Sequence, residues 1–182
     1  MSVAGAPESA SPETVAGRSC DGCTLCCKLM AVREINKPRA VWCTHCDKKS
    51  GCTIYDTRPF GCRVFYCGWM TAADLGPHWK PLTARMVLSH HTAHNWLVVH
   101  VDPGRPDAWR AEPYYSDLKA WSRHMTPKGG RVMVWQGDRV FAVLPDGDVN
   151  MGTMRDDEDA TDMGRRRGTD AGPLEAAKGI SS

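Results

Sequence analysis

The chain has 182 residues, 24% of them charged, and a formal net charge of +2. That length holds one domain with a real hydrophobic core. The basic residues are scattered and not striped, which argues against a nucleic-acid partner. No apolar run reaches the ~18 residues of a membrane span, so no membrane contact is expected.

Residues 1–18 are rich in Ala, Gly, Ser, Pro and Glu and have little to bury, so they read as a disordered tail. They lack the apolar centre of a secretory signal, and Glu8 and Glu13 stand where a basic start belongs. The expected location is the cytoplasm, whose thiol pool keeps cysteines reduced.

Nine cysteines follow between Cys20 and Cys67, and none occurs in the remaining 115 residues. Their order is C-x2-C-x2-C-C-x15-C-x2-C-x5-C-x9-C-x4-C. An odd count and the vicinal pair Cys26–Cys27 fit a disulfide framework poorly. Metal ligation is the expected role of Cys20, Cys23, Cys26, Cys27, Cys43, Cys46, Cys52, Cys62 and Cys67. Lys and Arg exceed Asp and Glu by four over residues 20–70, about the charge that two tetrathiolate dication sites would need to offset.

The first four cysteines share one face if their stretch is helical, whereas Gly22 beside Cys23 permits a tight knuckle instead. Adjacent Cys26 and Cys27 diverge by about 100° on a helix, so one mononuclear ion cannot easily take both. Either two neighbouring sites divide the pair, or a polynuclear centre accepts both. Cys43-Thr44-His45-Cys46 is a knuckle of the kind that places two thiolates on one ion, with His45 a further candidate donor. Asp56 or Thr57 is expected to cap a helix opened by Pro59, which carries Cys62 inward. Arg58 and Arg63 lie close enough in sequence to hydrogen-bond sulfurs or carboxylates around the site.

This order of cysteines, with Gly51-Cys52-Thr53-Ile54-Tyr55-Asp56-Thr57-Arg58-Pro59-x-x-Cys62-Arg63-x-Phe65-x-Cys67, resembles the zinc- or iron-chelating CxxCxxCC domain family, the YkgJ-like cysteine cluster proteins. The likeness covers residues 20–67, about a quarter of the chain. It implies chelation of zinc or iron with no assigned reaction. The family pattern has eight cysteines. Cys43 matches a family position, and Cys46 stands where the family often has a hydrophobic residue, so either or both can ligate. Flagellin lysine methylases are similar in carrying a related motif. Thiolates suit zinc ions and iron–sulfur clusters alike, so the cofactor is zinc or iron, as ions or as an iron–sulfur cluster.

Beyond residue 70 the pattern changes to ordinary strands and a helix. Arg85–Leu88 and Trp96–Val101 read as strands, the second ended by Asp102-Pro103-Gly104. Tyr114, Leu118, Trp121 and Met125 mark one face of a helix starting near Pro113. Arg131–Trp135 and Val140–Leu144 flank Gln136-Gly137-Asp138-Arg139 as a hairpin, and Pro145-Asp146-Gly147-Asp148 is read as closing the sheet. His90 and His94 have a helical metal-site spacing, but it loses meaning beside strands, so these histidines are assigned to sheet and turns. Six tryptophans (Trp69, Trp79, Trp96, Trp109, Trp121 and Trp135) are assigned to the core and the junction of the halves. Residues 154–182, with Asp156-Asp157-Glu158-Asp159 and Arg165-Arg166-Arg167, are expected to be a second disordered tail.

The sequence thus predicts an α+β protein, one domain over residues 19–153. A cysteine-cluster metal module (19–70) packs on a small antiparallel sheet with one helix (71–153). The expected function is cytoplasmic metal binding, with the metal structural, stored or delivered. The alternatives are an iron–sulfur protein supporting an enzymatic modification or redox step, and a zinc-stapled protein-interaction module. No Ser-His-Asp order, phosphate loop or H-E-x-x-H motif occurs, so an enzyme is not the first expectation.

Overall fold

A computed structural model describes residues 12–20 and 22–153. The cysteine-rich part is built of short pieces: α1 (Leu25–Leu29), the two-residue strands β1 (Cys46–Asp47) and β2 (Gly51–Cys52), α2 (Phe60–Val64) and α3 (Gly68–Thr71). The second part has α4 (Pro81–Ala84), β3 (Met86–His91), β4 (Trp96–Val101), α5 (Tyr114–Met125), β5 (Arg131–Gln136), β6 (Arg139–Leu144) and β7 (Gly147–Thr153). The class is α+β, as the sequence indicates.

The sheet differs from expectation in two ways. Its order is β3-β4-β5-β6-β7, and β4 pairs with β5 in parallel, Trp96 opposite Arg131 through Val101 opposite Gln136. The sheet is therefore mixed and not antiparallel. The cause is α5, which carries the chain back across the sheet between two neighbouring strands, as a parallel pair requires. The second correction is β7. Gly147 and Asp148 do not close the sheet; they begin a fifth strand that pairs with β6. Glycine, aspartate and asparagine are poor strand formers, and pairing with β6 overrides that local preference.

Elsewhere the pattern holds. β5 and β6 form the hairpin, with Gly137 at positive φ (66°) as the first of two turn residues. Leu118 of α5 is fully buried against one face of the sheet, with Tyr114, Trp121 and Met125 packed beside it. That face gathers Met86, Leu88, Val99, Val132, Val134 and Phe141 with Trp79 and Trp109. The opposite face holds Val98, Met133, Trp135, Val140, Ala142 and Met151.

A third apolar group joins the cysteine module to edge strand β3. Leu25, Leu29, Cys67 and Met70 pack with Val87. At Gly68 a Cβ would stand 3.0 Å from that of Leu88, so the missing side chain lets α3 lie directly on β3. An ionic joint reinforces the seam. Asp102, just past β4, is fully buried and accepts from Lys28 of α1 at 2.5 Å, from Arg85, and from the Gly104 amide at 2.9 Å.

Residues 12–18, expected within the disordered N-terminal tail, are tied to the module. The Val15 amide donates to the Met70 carbonyl at 2.8 Å. Arg18 donates to the carbonyls of Trp69 (2.5 Å), Ala72 (2.9 Å) and Leu75 (2.6 Å). The end of α3 leaves carbonyls without helical partners, and the forked guanidinium satisfies them. The remaining tail expectations, residues 1–11 and 154–182, lie outside the described residues.

Candidate metal centre

The first cysteines sit on a knuckle and not on a regular helix. Gly22 takes φ +67°, and the Cys23 amide donates to the Cys20 carbonyl at 2.9 Å. The helix begins only at Leu25. Leu25 and Leu29, one turn apart, are each 1% exposed and hold α1 to the core. Cys26 and Cys27 lie on the remaining surface of α1, half-buried.

The chain then returns to α1. The Cys43 amide donates to the Cys27 carbonyl at 2.9 Å, and the Cys46 amide to the Cys43 carbonyl at 3.1 Å. Cys46 and Cys52 stand opposite each other in the β1–β2 ladder. Asp47 tightens the intervening turn by accepting from the Lys49 (2.8 Å) and Ser50 (2.7 Å) amides. α2 brings in Cys62, and Cys67 directly precedes α3.

The capping of α2 departs from the sequence reading. Tyr55–Thr57 form a separate 3-10 turn, and Pro59 occupies the cap position with no side-chain bond. The cap comes from Glu34, which accepts from the Gly61 amide at 2.8 Å. That amide also holds the Glu34 carboxyl below its ordinary range. The sequence offers no local signal for a cap 27 residues away.

Cys20, Cys23, Cys26, Cys27, Cys43, Cys52 and Cys62 all line one cavity of about 1000 Å³. Cys46 and Cys67 are not on that wall. Cys46 is in thiol hydrogen-bond contact with Cys27, and Cys67 shares an apolar cluster with Cys23. The donors are of the right chemical kind for zinc or iron. As placed, among the described residues no three His, Cys, Asp or Glu form a group that could hold one ion.

The electrostatics centre on Cys27. The Cys26 thiol donates to it and the Cys46 thiol does likewise, with Lys37 and Arg58 adding positive charge; together they overcome burial and lower the Cys27 pKa to about 6. The same bond, with burial, pushes the Cys26 thiol upward, and burial first and the charge of Cys27 next push Cys46 up to about 12. Burial also raises Cys62 and Cys67.

Lys37 was not legible as a site residue. It is buried and donates to the carbonyls of Lys28 (3.0 Å), Met30 and Pro38 (2.9 Å). Burial lowers its pKa, while the facing Cys43, Cys27, Cys26 and Cys62 pull it back up. A buried ammonium among thiols is charge compensation that sequence spacing does not announce. Arg58 lies 3.9 Å over the Tyr55 ring and lines the cavity; its Nε is buried with no acceptor among the described residues. Arg63 lies over Phe60 at 5.8 Å. His45 lines the cavity as well.

The histidines of the sheet do not converge. His90 on β3 contacts Asn95 at 3.3 Å, His94 in the following turn lies against Trp96, and His100 on β4 meets Ser89 at 2.8 Å. Among the described residues, no helix is long and apolar enough to cross a membrane. Comparison with protein-family models, with curated proteins and with solved structures finds no match for this chain.

Proposed function

We propose that this protein binds zinc or iron through its cysteine module, either as ions or as an iron–sulfur cluster, in the manner that its resemblance to the YkgJ-like cysteine cluster proteins implies. The observation that supports it is the convergence of seven cysteines from four short segments on one cavity wall, with Cys46 in contact with one of them. Nothing in carbon packing requires that convergence. Only Cys67 of the nine is buried as a core residue. Thiols held together at a half-exposed surface, with a lysine and an arginine facing them, are poised to become thiolate ligands.

The test is metal and acid-labile sulfide analysis of protein purified without oxygen, with a visible spectrum. Colourless protein with bound zinc, or brown protein with iron and sulfide absorbing near ~400 nm, is the expected outcome. Metal below about half an equivalent per chain overturns the proposal.

A further inference from the structure

We propose that Cys46 and Cys52 are a thiol–disulfide pair, which peroxide closes into a bridge across the β1–β2 ladder. The inference rests on the geometry of that hairpin and not on the metal-binding reading above.

The backbone bonds decide which kind of ladder position the two cysteines occupy. Cys46 stands opposite Cys52, and Asp47 opposite Gly51. The Thr53 amide donates to the His45 carbonyl at 2.9 Å, one residue outward on each strand. The Cys46 amide donates away from Cys52, to the Cys43 carbonyl at 3.1 Å. Cys46 and Cys52 are therefore a non-hydrogen-bonded pair, the position at which opposed Cα atoms come closest, about 4.5 Å apart. Opposed side chains of a ladder share one face. A disulfide needs Cα atoms roughly 4.4–6.8 Å apart, so the bridge closes with little movement of the backbone.

The hairpin is held in this register by groups other than sulfur. Asp47 accepts from the Lys49 and Ser50 amides, and the Thr53 hydroxyl adds a second bond to the His45 carbonyl at 3.0 Å. Gly51 takes φ +101°, a backbone region that glycine enters freely, where the chain turns back. Both thiols are free and half-buried, and residues 47–50 between them are exposed, so a small oxidant reaches the pair.

Two rival bridges are less well placed. Adjacent Cys26 and Cys27 have Cα atoms about 3.8 Å apart, too close for an unstrained disulfide. The Cys46 thiol is in contact with Cys27 in the reduced chain. Cys27, however, lies on α1, a separate element, whereas the ladder fixes Cys52 opposite Cys46. Rotation about the Cα–Cβ bond redirects the Cys46 sulfur across the ladder.

The step balances with peroxide as oxidant. One thiolate attacks a peroxide oxygen, the O–O bond breaks, and a sulfenic acid and one water result. The second thiol attacks that sulfur, the S–O bond breaks, and a second water leaves. The thiols together lose two electrons and two protons, and hydrogen peroxide becomes two waters. The bridge withdraws Cys52 from the thiols that line the cavity, so oxidation changes what the cavity presents.

The experiment oxidises the reduced, full-length chain with hydrogen peroxide, alkylates the remaining thiols and maps the links by tandem mass spectrometry. Cleavage after Lys48 and Lys49 separates the two cysteines. In the folded chain the Cys46–Cys52 link should be the most abundant. It should disappear in Cys46→Ser and Cys52→Ser and persist in Cys43→Ser. In unfolding urea, where the ladder is gone, its share in the wild-type chain should fall several-fold. A folded chain that favours another link, Cys27–Cys46 included, overturns the inference. So does an unchanged share in urea, or a folded chain whose thiols peroxide leaves unlinked.

Discussion

The two parts of this chain hold their shape by different means. In the sheet region, Val98, Val99, Val134, Ala142 and Val143 are wholly buried, and Trp79 and Trp109 fill the space beneath α5. Apolar surface taken from water stabilises such an arrangement at roughly 25 cal/mol per Å². The cysteine module has helices of four or five residues, far too short to persist alone. Its own buried apolar residues are few, chiefly Leu25, Leu29 and Met70. Single polar contacts do the local shaping: Glu34 on Gly61, Arg18 on the end of α3, Lys37 on three carbonyls. The lesson is that one part is closed by carbon and the other by single polar contacts, to which metal, on the proposed reading, would add a further tie.

If the proposed metal binding holds, removing the metal is the strongest way to break this contrast. Structural zinc contributes on the order of 10 kcal/mol to folding in small thiolate sites. Chelation should therefore abolish hydrogen-exchange protection of the amides in α1, β1, β2 and α2 while β4 and β5 stay protected. If β4 and β5 lose protection together with the module, the two parts are one cooperative unit and the contrast fails.

A smaller effect is expected at the seam. Asp102 is held below the usual carboxylate range: burial alone would raise it, and the Lys28 bond, the Gly104 amide and the Arg85 charge overrule that. Asp102→Asn keeps the shape and removes the charge, leaving Lys28 without its counter-ion one residue from Cys27. Because Arg85 is 42% exposed and can turn to water, the expected loss is only about 1–3 kcal/mol. The loss should show first as faster exchange in α1, since β4 keeps its neighbours on both sides. Uniform destabilisation across the sheet would mean that Asp102 serves the sheet and not the joint.

The two parts were also unequally legible. Alternating and helical apolar patterns gave β4, the β5–β6 hairpin and α5 nearly at their bounds, because burial imposes those periods. The parallel pairing of β4 with β5 was missed although a helix between two strands is its usual cause. β7 was hidden because Gly147, Asp148 and Asn150 carry a turn composition, and only its neighbour makes it a strand. In the module, the cysteine spacing pointed to which residues gather. It could not reveal Lys37 or Glu34, whose roles arise from contacts 9 and 27 residues away. The knuckle at Gly22 was readable as an option, because glycine alone enters that backbone region freely.

The smallest expected effect sharpens the picture of the carbon-closed part. His100 is 3% exposed on β4, bonded through Nε2 to Ser89 and set edge-on to Trp135 at 4.8 Å. Burial, with the charges of Arg39 and His91, lowers its pKa from 6.5 to about 3. An unfolded chain takes up a proton there at 6.5, whereas the folded chain refuses it until about 3. The unfolded state thus binds more protons across that window, so stability is full above pH 6.5 and falls as pH drops toward 3. At about 1.4 kcal/mol per pH unit, the loss at pH ~5 is about 2 kcal/mol. Urea unfolding followed by tryptophan fluorescence at pH ~7 and ~5 measures it. Metal release and other acid effects act equally on His100→Gln, so the difference between wild type and variant isolates the imidazole. Equal losses in the two proteins would mean that His100 takes its proton without leaving the sheet interior, and that the carbon-closed part is less closed than its packing indicates.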